Sequence, residues 1–176
     1  MTYQKLTAFG KRFISYHILF KYGFNLSPMY RRSTARVTEV SPDLSKITIK
    51  LPLSWKNKNY VGTIFGGSMF AAVDPIPMVQ LLNLLNNEYV VWDKSATVKF
   101  KRPANQDLYA DFVFTADEIK AIKEKVATSQ ELEFVKTTTL TNKERDTIYC
   151  EVAKTIYVAN KEFYKKKRKA RKNASK

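Results

Sequence analysis

The sequence predicts an α+β domain in which one curved antiparallel sheet wraps a long, nearly all-apolar helix. Three observations point there. Residues 67–86 read as a helix that is hydrophobic on almost every side, and such a helix must be enclosed. Several other segments alternate apolar and polar residues with the period of a strand. The connections between those segments are short, as antiparallel neighbours allow. At 176 residues, a single domain accounts for the chain. Its bounds are read as 1–160, with a basic C-terminal tail at 161–176.

The elements follow in order. Residues 5–22 read as an additional N-terminal helix, because Leu6, Phe9, Phe13, Tyr16 and Phe20 recur at three- and four-residue spacing. "NLSPMYRR" (25–32) is a breaker-rich connection. "STARVTEV" (33–40) is a faint strand and "KITIKLPL" (46–53) a clear one, joined by the turn signal Ser41-Pro42-Asp43. The apolar helix comes next. "EYVVWD" (88–93), "SATVKFKR" (95–102) and "DLYADFVFT" (107–115) then read as strands, with Pro103–Gln106 between the last two. "DEIKAIKEKVA" (117–127) opens with acids and reads as a short exposed helix. "LEFVKTTTLT" (132–141) and "TIYCEVAKTIYVA" (147–159) form a final hairpin, and the last strand is long enough to expect a bulge.

Composition narrows the function classes. Hydrophobic residues make up 44% and aromatics 13%, enough for a core. A single cysteine, Cys150, excludes an intrachain disulfide and fits a reducing compartment. With one histidine, His17, the chain lacks the ligands for a zinc centre, and no metal site is expected. The opening residues lack the pattern of a signal peptide. The run after Gly66 approaches membrane-spanning length, but Asp74, Gln80, Asn83 and two prolines interrupt it. A soluble, cytoplasmic protein is expected. The net charge is +15, of which residues 161–176 carry +8 and the rest +7. A basic block can bind nucleic acid or an anionic membrane. The plainer reading is a solvated C-terminus, so neither partner is expected. The basic body favours an anionic ligand.

One stretch carries the chemistry. The chain has five glycines, and Gly62, Gly66 and Gly67 all fall within "NYVGTIFGGSMFAAVDPIPM" (59–78). A helix opening at the glycine pair presents free N–H groups and the positive end of its dipole, a ready site for a carbonyl oxygen or a phosphate. Asp74 lies about two turns on, where an unpartnered carboxylate would be costly. Two readings stand side by side. Asp74 is a general base or nucleophile beside an electrophile site, or Asp74-Pro75 is an N-cap with proline at the first helical position. No nucleophile elbow or Walker loop is present. Cys150 with His17 makes a poor dyad, and a small buried cysteine is the simpler reading.

"GTIFGGSMFAAVDP" (62–75) resembles the central-helix signature of hotdog-fold thioesterases of the phenylacetate-degradation branch. There a His-Gly-Gly opens the helix and an acid follows nine positions after the histidine; nine from Phe65 is Asp74. "ATVKFKRPANQDLYADF" (96–112) is similar to the strand–turn–strand that follows that helix. "GTIFGGS", "DP", "YVVWDKSA" and "VKFKRP" together resemble a thioesterase-like hotdog family of the DUF4442 type, over roughly residues 25–160. The resemblance implies an acyl thioesterase acting on acyl-CoA or an acyl thioester of acyl carrier protein. It implies catalytic roles for the Gly66 amide and Asp74, and substrate contacts from Asn59, Phe65, Gly67, Ser68, Met69 and Phe70. Lys99, Lys101 and Arg102 are expected to meet coenzyme A phosphates. Coenzyme A would be part of the substrate, with no separate cofactor. A homodimer, or a homotetramer built from it, is implied, with the site at the subunit interface. A non-catalytic acyl-CoA-binding module is the alternative. Three departures bear on it: Phe65 replaces the motif histidine, Pro75 and Pro77 follow the acid, and Met78 offers no hydroxyl to orient water.

Overall fold

The computed structural model describes residues 15–174. Residues 5–14 of the expected N-terminal helix lie outside them. The rest of that helix is α1, Tyr16–Leu26, and the short α2, Pro28–Arg31, follows it. Strands β1 (Arg36–Val40) and β2 (Lys46–Leu51) form the first hairpin, with Val40 paired to Ile47 across the Ser41-Pro42-Asp43 turn.

The central helix is two segments, α3 (Gly66–Val73) and α4 (Pro75–Leu84), where the sequence predicts one. Prolines cause the break. Pro75 and Pro77 have no N–H to donate, and a proline ring crowds the carbonyl four residues back. Asp74 bridges the segments with φ −47° and ψ −54°, so the chain continues in nearly the same direction.

After the helices come β3 (Tyr89–Phe100), β4 (Leu108–Val113), α5 (Ala116–Ser129), β5 (Glu131–Thr141), β6 (Ile148–Asn160) and α6 (Lys161–Ala174). The six strands make one antiparallel sheet in the order β1-β2-β4-β5-β6-β3. "EYVVWD" and "SATVKFKR" are a single strand, β3, in which Lys94 is an extra residue between Asp93 and Ser95. Bulging lets a strand absorb one residue without ending. The expected bulge in β6 falls at Tyr149, opposite the step from Leu140 to Thr141.

The concave side of the sheet wraps α3 and α4. Met69, Ala72 and Val73 pack with Ile47, Ile49 and Leu51 of β2, while Leu81 and Leu85 meet Phe114, Ile122, Ile156 and Val158 in a second cluster. Buried Gln80 ties α4 to the sheet, its Nε2 donating to Leu44 O (2.8 Å) and Phe112 O (3.3 Å). Helix α5 begins with a capping box in which Thr115 Oγ1 accepts from Glu118 N and Glu118 accepts from Thr115 N.

Residues 161–174, read from sequence as part of a tail, form helix α6 directly after β6. Asn160 Oδ1 accepts from the N–H groups of Glu162 and Phe163 and so caps it. Lys167 then pairs with Glu131 on the sheet, which also accepts from Tyr157 Oη. No helix among the described residues is long and apolar enough to cross a membrane.

Candidate functional site

Two chain segments fix the start of α3. Phe65 N–H donates to Asn57 O (2.8 Å) and Ile64 N–H to Ala104 O (2.8 Å). Phe65 is extended, with φ −61° and ψ 131°, and Gly66 is the first helical residue. Ser68 and Met69 donate back to Phe65 O, whereas the N–H groups of Gly66 and Gly67 donate to no acceptor among the described residues. Both glycines lie close against the ring of an exposed phenylalanine. A Cβ on Gly66 would lie 2.8 Å from the Phe100 ring, and one on Gly67 would lie 2.2 Å from the Phe65 ring. Those rings are 57% (Phe65) and 59% (Phe100) exposed, and they form an aromatic collar around the free amides.

Asp74 is not a cap. Its backbone is helical, and its side chain makes no cap hydrogen bond. The carboxylate reaches sideways to Lys154 on β6, whose Nζ donates to Asp74 Oδ1 at 2.9 Å and also to the Asp74 carbonyl. The same ammonium donates to Asp93 Oδ2 on β3 at 2.5 Å. Lys154 is 1% exposed and Asp74 47%. The buried cation is therefore held by two carboxylates and a carbonyl, and one of those carboxylates faces solvent. Asp74 Oδ2 accepts no hydrogen bond among the described residues and is available to a water or an acyl group.

Asp93 completes the triad from within. Its Oδ1 is buried without a hydrogen-bond partner among the described residues. Burial pushes its carboxyl above the ordinary aspartate range, Lys154 opposes that shift, and the neighbouring Asp74 charge adds to it. A carboxyl raised in the folded state holds its proton more tightly there than in the unfolded chain, where its pKa is ~3.9. Its stabilising contribution is complete below that value and is lost as pH rises through the folded one. Asp93→Asn keeps an oxygen for Lys154 and has no proton to lose. The variant is expected to gain on the wild type as pH rises from about 4 to about 7, with little gain at the acid end. Thermal melts at the two pH values check this, and an equal difference at both would refute it.

Other residues singled out in the sequence take different places. Asn59 is spent on its own turn, with Oδ1 accepting from Val61 N and Thr63 N and Nδ2 donating to Thr63 Oγ1. Met69 faces the core at 3% exposure, while Ser68 and Phe70 are half-buried. Phe100 turns inward onto Gly66, so strand alternation sends Lys99 to the opposite face, where it pairs with Glu151 at 3.7 Å. Lys101 is exposed, and Arg102 donates to Ile148 O (2.8 Å). Cys150 is buried, which pushes its thiol up to about 11 and leaves it protonated at neutral pH. Among the described residues, no group of three His, Cys, Asp or Glu side chains could hold a metal.

The sequence profile of the domain of unknown function DUF4442 matches residues 17–158. The chain belongs to the DUF4442 family. Comparison of this DUF4442 protein with the curated proteins finds no match. Solved structures share its fold. PA5026 of Pseudomonas aeruginosa, a probable thioesterase, superposes with a TM-score of 0.71 at 18% identity, over 81% of this chain and 95% of that one. The thioesterase HI1161 of Haemophilus influenzae gives 0.58 at 12% identity, over 82% and 90%. The thioesterase SAV0944 of Staphylococcus aureus gives 0.53 at 10%, over 76% and 99%. The DUF4442 chain therefore has the hotdog fold, as its helix signature implies.

Proposed function

We propose that this DUF4442 protein hydrolyses acyl thioesters carried by coenzyme A or an acyl carrier protein. One observation carries the reading. Two uncommitted amides open the same helix that ends at a half-exposed carboxylate, and a buried lysine clamps that carboxylate. Asp74 Oδ2 takes a proton from water as the water oxygen attacks the thioester carbon. The carbonyl oxygen gathers negative charge, which the Gly66 and Gly67 amides and the dipole of α3 stabilise. The C–S bond then breaks, and the proton on Asp74 passes to the leaving sulfur. Direct attack by Asp74 on the acyl carbon, followed by hydrolysis of the anhydride, would use the same positions. Phe65 and Phe100 offer apolar contact beside the amides.

Helix geometry adds a constraint. Gly67 and Asp74 are separated by ~11 Å along the axis, at 1.5 Å per residue. A second copy that brings its own helix alongside, Asp74 of each facing Gly66 of the other, would let one thioester meet both groups. The edge of β3 supports a homodimer of this kind, because a long strand with no outer neighbour among the described residues is a template for pairing. Dimers could pair again as a tetramer.

Release of free thiol from a panel of acyl-CoAs is the test. Gly66→Pro sharpens it, because proline suits the first helical position and the extended Phe65 accepts a following proline. That substitution deletes one amide donor while the exposed Phe100 ring shifts aside. Turnover is expected to fall about 10²-fold or more, the usual effect of losing one oxyanion donor. The second reading, acyl-CoA binding without hydrolysis, is favoured by Phe65 standing where the motif has histidine. Saturable binding with no turnover across the panel would establish it.

A further inference from the structure

A second site lies on the other side of Asn57 from the glycine pair. Arg31, Arg32, Arg36 and Lys56 line a cleft of about 490 Å³ together with Trp55 and Thr34. That volume lies within the range of small-molecule sites, about 300–1,000 Å³. No carboxylate lines the cleft, and none of the four cations forms an ion pair among the described residues. Four cations converging on one cavity with no carboxylate in its lining amount to a strong local positive field.

The cleft is built rather than accidental. Asn57 is 3% exposed and knits its walls together. Its Nδ2 donates to Thr34 Oγ1 (2.7 Å) and Pro52 O (2.8 Å), and its Oδ1 accepts from Ser54 N (2.9 Å). Thr34 sits at φ 67°, a left-handed conformation that is costly for a β-branched residue. The turn at Thr34 lies between Arg31 and Arg32 at the end of α2 and Arg36 at the start of β1, so all three arginines reach the same cavity. Trp55, which also lines the cleft, is 84% exposed, with Lys56 Nζ 5.5 Å from its ring centroid. An indole this exposed at the mouth of a cationic cavity is a stacking platform for a planar ring. Arginine forks suit phosphate oxygens.

The geometry points to a nucleoside-phosphate site, with the base on Trp55 and the phosphates among Arg31, Arg32, Arg36 and Lys56. Two sources carry that chemistry: the nucleotide end of coenzyme A, and a free mononucleotide. Only the coenzyme A source rests on the thioesterase reading.

Titration calorimetry of the full chain with adenosine 3′,5′-bisphosphate, ADP, coenzyme A and inorganic phosphate tests the site. At least one nucleotide is expected to bind at least tenfold tighter than phosphate. Arg31→Ala/Arg36→Ala, and separately Trp55→Ala, are each expected to weaken it at least tenfold, with Trp92→Ala as the unaffected control. Competition by coenzyme A identifies the thioester carrier as the source; ADP binding that coenzyme A cannot displace identifies a free nucleotide. Either result upholds the site. No saturable binding, binding that survives both variants, phosphate as tight as any nucleotide, or an oligoribonucleotide tighter than every mononucleotide would overturn it. Hydrolysis of an acyl-N-acetylcysteamine thioester, which carries no nucleotide, is expected to be unchanged in Arg31→Ala/Arg36→Ala. Should no thioester be hydrolysed at all, the binding results still decide the cleft on their own.

Discussion

Asp74→Ala is expected to lower thioester hydrolysis by about 10²–10⁴-fold, the span associated with a positioned general base, and to leave the fold in place. The fold should survive because Asp74 is 47% exposed and Lys154 keeps Asp93 as a partner. Thiol release and a far-ultraviolet melt on the same sample separate the two effects; full activity in the variant would remove Asp74 from the mechanism. The proposed two-chain site makes a sharper demand. Asp74→Ala lacks the carboxylate and Gly66→Pro lacks the amide, so each variant alone should be nearly inactive. In a mixed dimer, one of the two sites combines an intact Asp74 from one chain with an intact Gly66 from the other. Random exchange of equal amounts should restore about one quarter of wild-type activity, since half the dimers are mixed and each has one good site. Absence of recovery after demonstrated exchange would place Asp74 and Gly66 in separate functions.

Lys154→Met carries the largest expected effect on stability. Removing the ammonium leaves the Asp93 carboxylate uncompensated in the interior and the Asp74 carbonyl without its donor. Breaking a buried ion pair from one side typically costs ~3–5 kcal/mol. For a chain of this size that corresponds to a melting point lower by on the order of 10 °C. Adding Asp93→Leu to Lys154→Met should recover much of the loss, because replacing both partners with apolar groups is often close to neutral. A single variant that melts with the wild type, or a double variant no better than the single, would contradict the buried-cation account.

Much of the fold was legible because period and turn chemistry agreed. Ile47, Ile49 and Leu51 alternate and pair as expected, and Ser41-Pro42-Asp43 turns the hairpin. The glycine pair marked the start of α3, and Asp74 was visible as the odd residue in an apolar helix. What remained hidden depends on contacts between distant residues. Lys154 meets Asp74 across 80 positions of sequence, a distance no local pattern spans. One local signal did exist: Cys150, Val152, Ile156 and Val158 are the inward positions of β6, and Lys154 stands in that register. A lysine on the apolar side of a strand asks for a buried partner. Asp93 was obscured by the extra Lys94, which reverses the alternation and made one strand read as two. The basic C-terminal block looked solvated because anchors such as Lys161, Tyr164 and Lys167 stand among many exposed lysines and arginines.

The order of the strands has a kinetic consequence. β3 follows the central helix midway through the sequence, yet among the described residues its ladder partner is β6, about fifty residues further on. Until β6 arrives, β3 has no hydrogen-bonded strand beside it among the described residues, and the chain must close a long loop before that pairing repays it. The same event delivers Lys154 to Asp74 and Asp93. Completion of the sheet and arrival of the one cation shared by the two acids are thus a single late step, and a nascent or truncated chain ending before β6 would expose an unpaired strand and two carboxyl groups without their lysine.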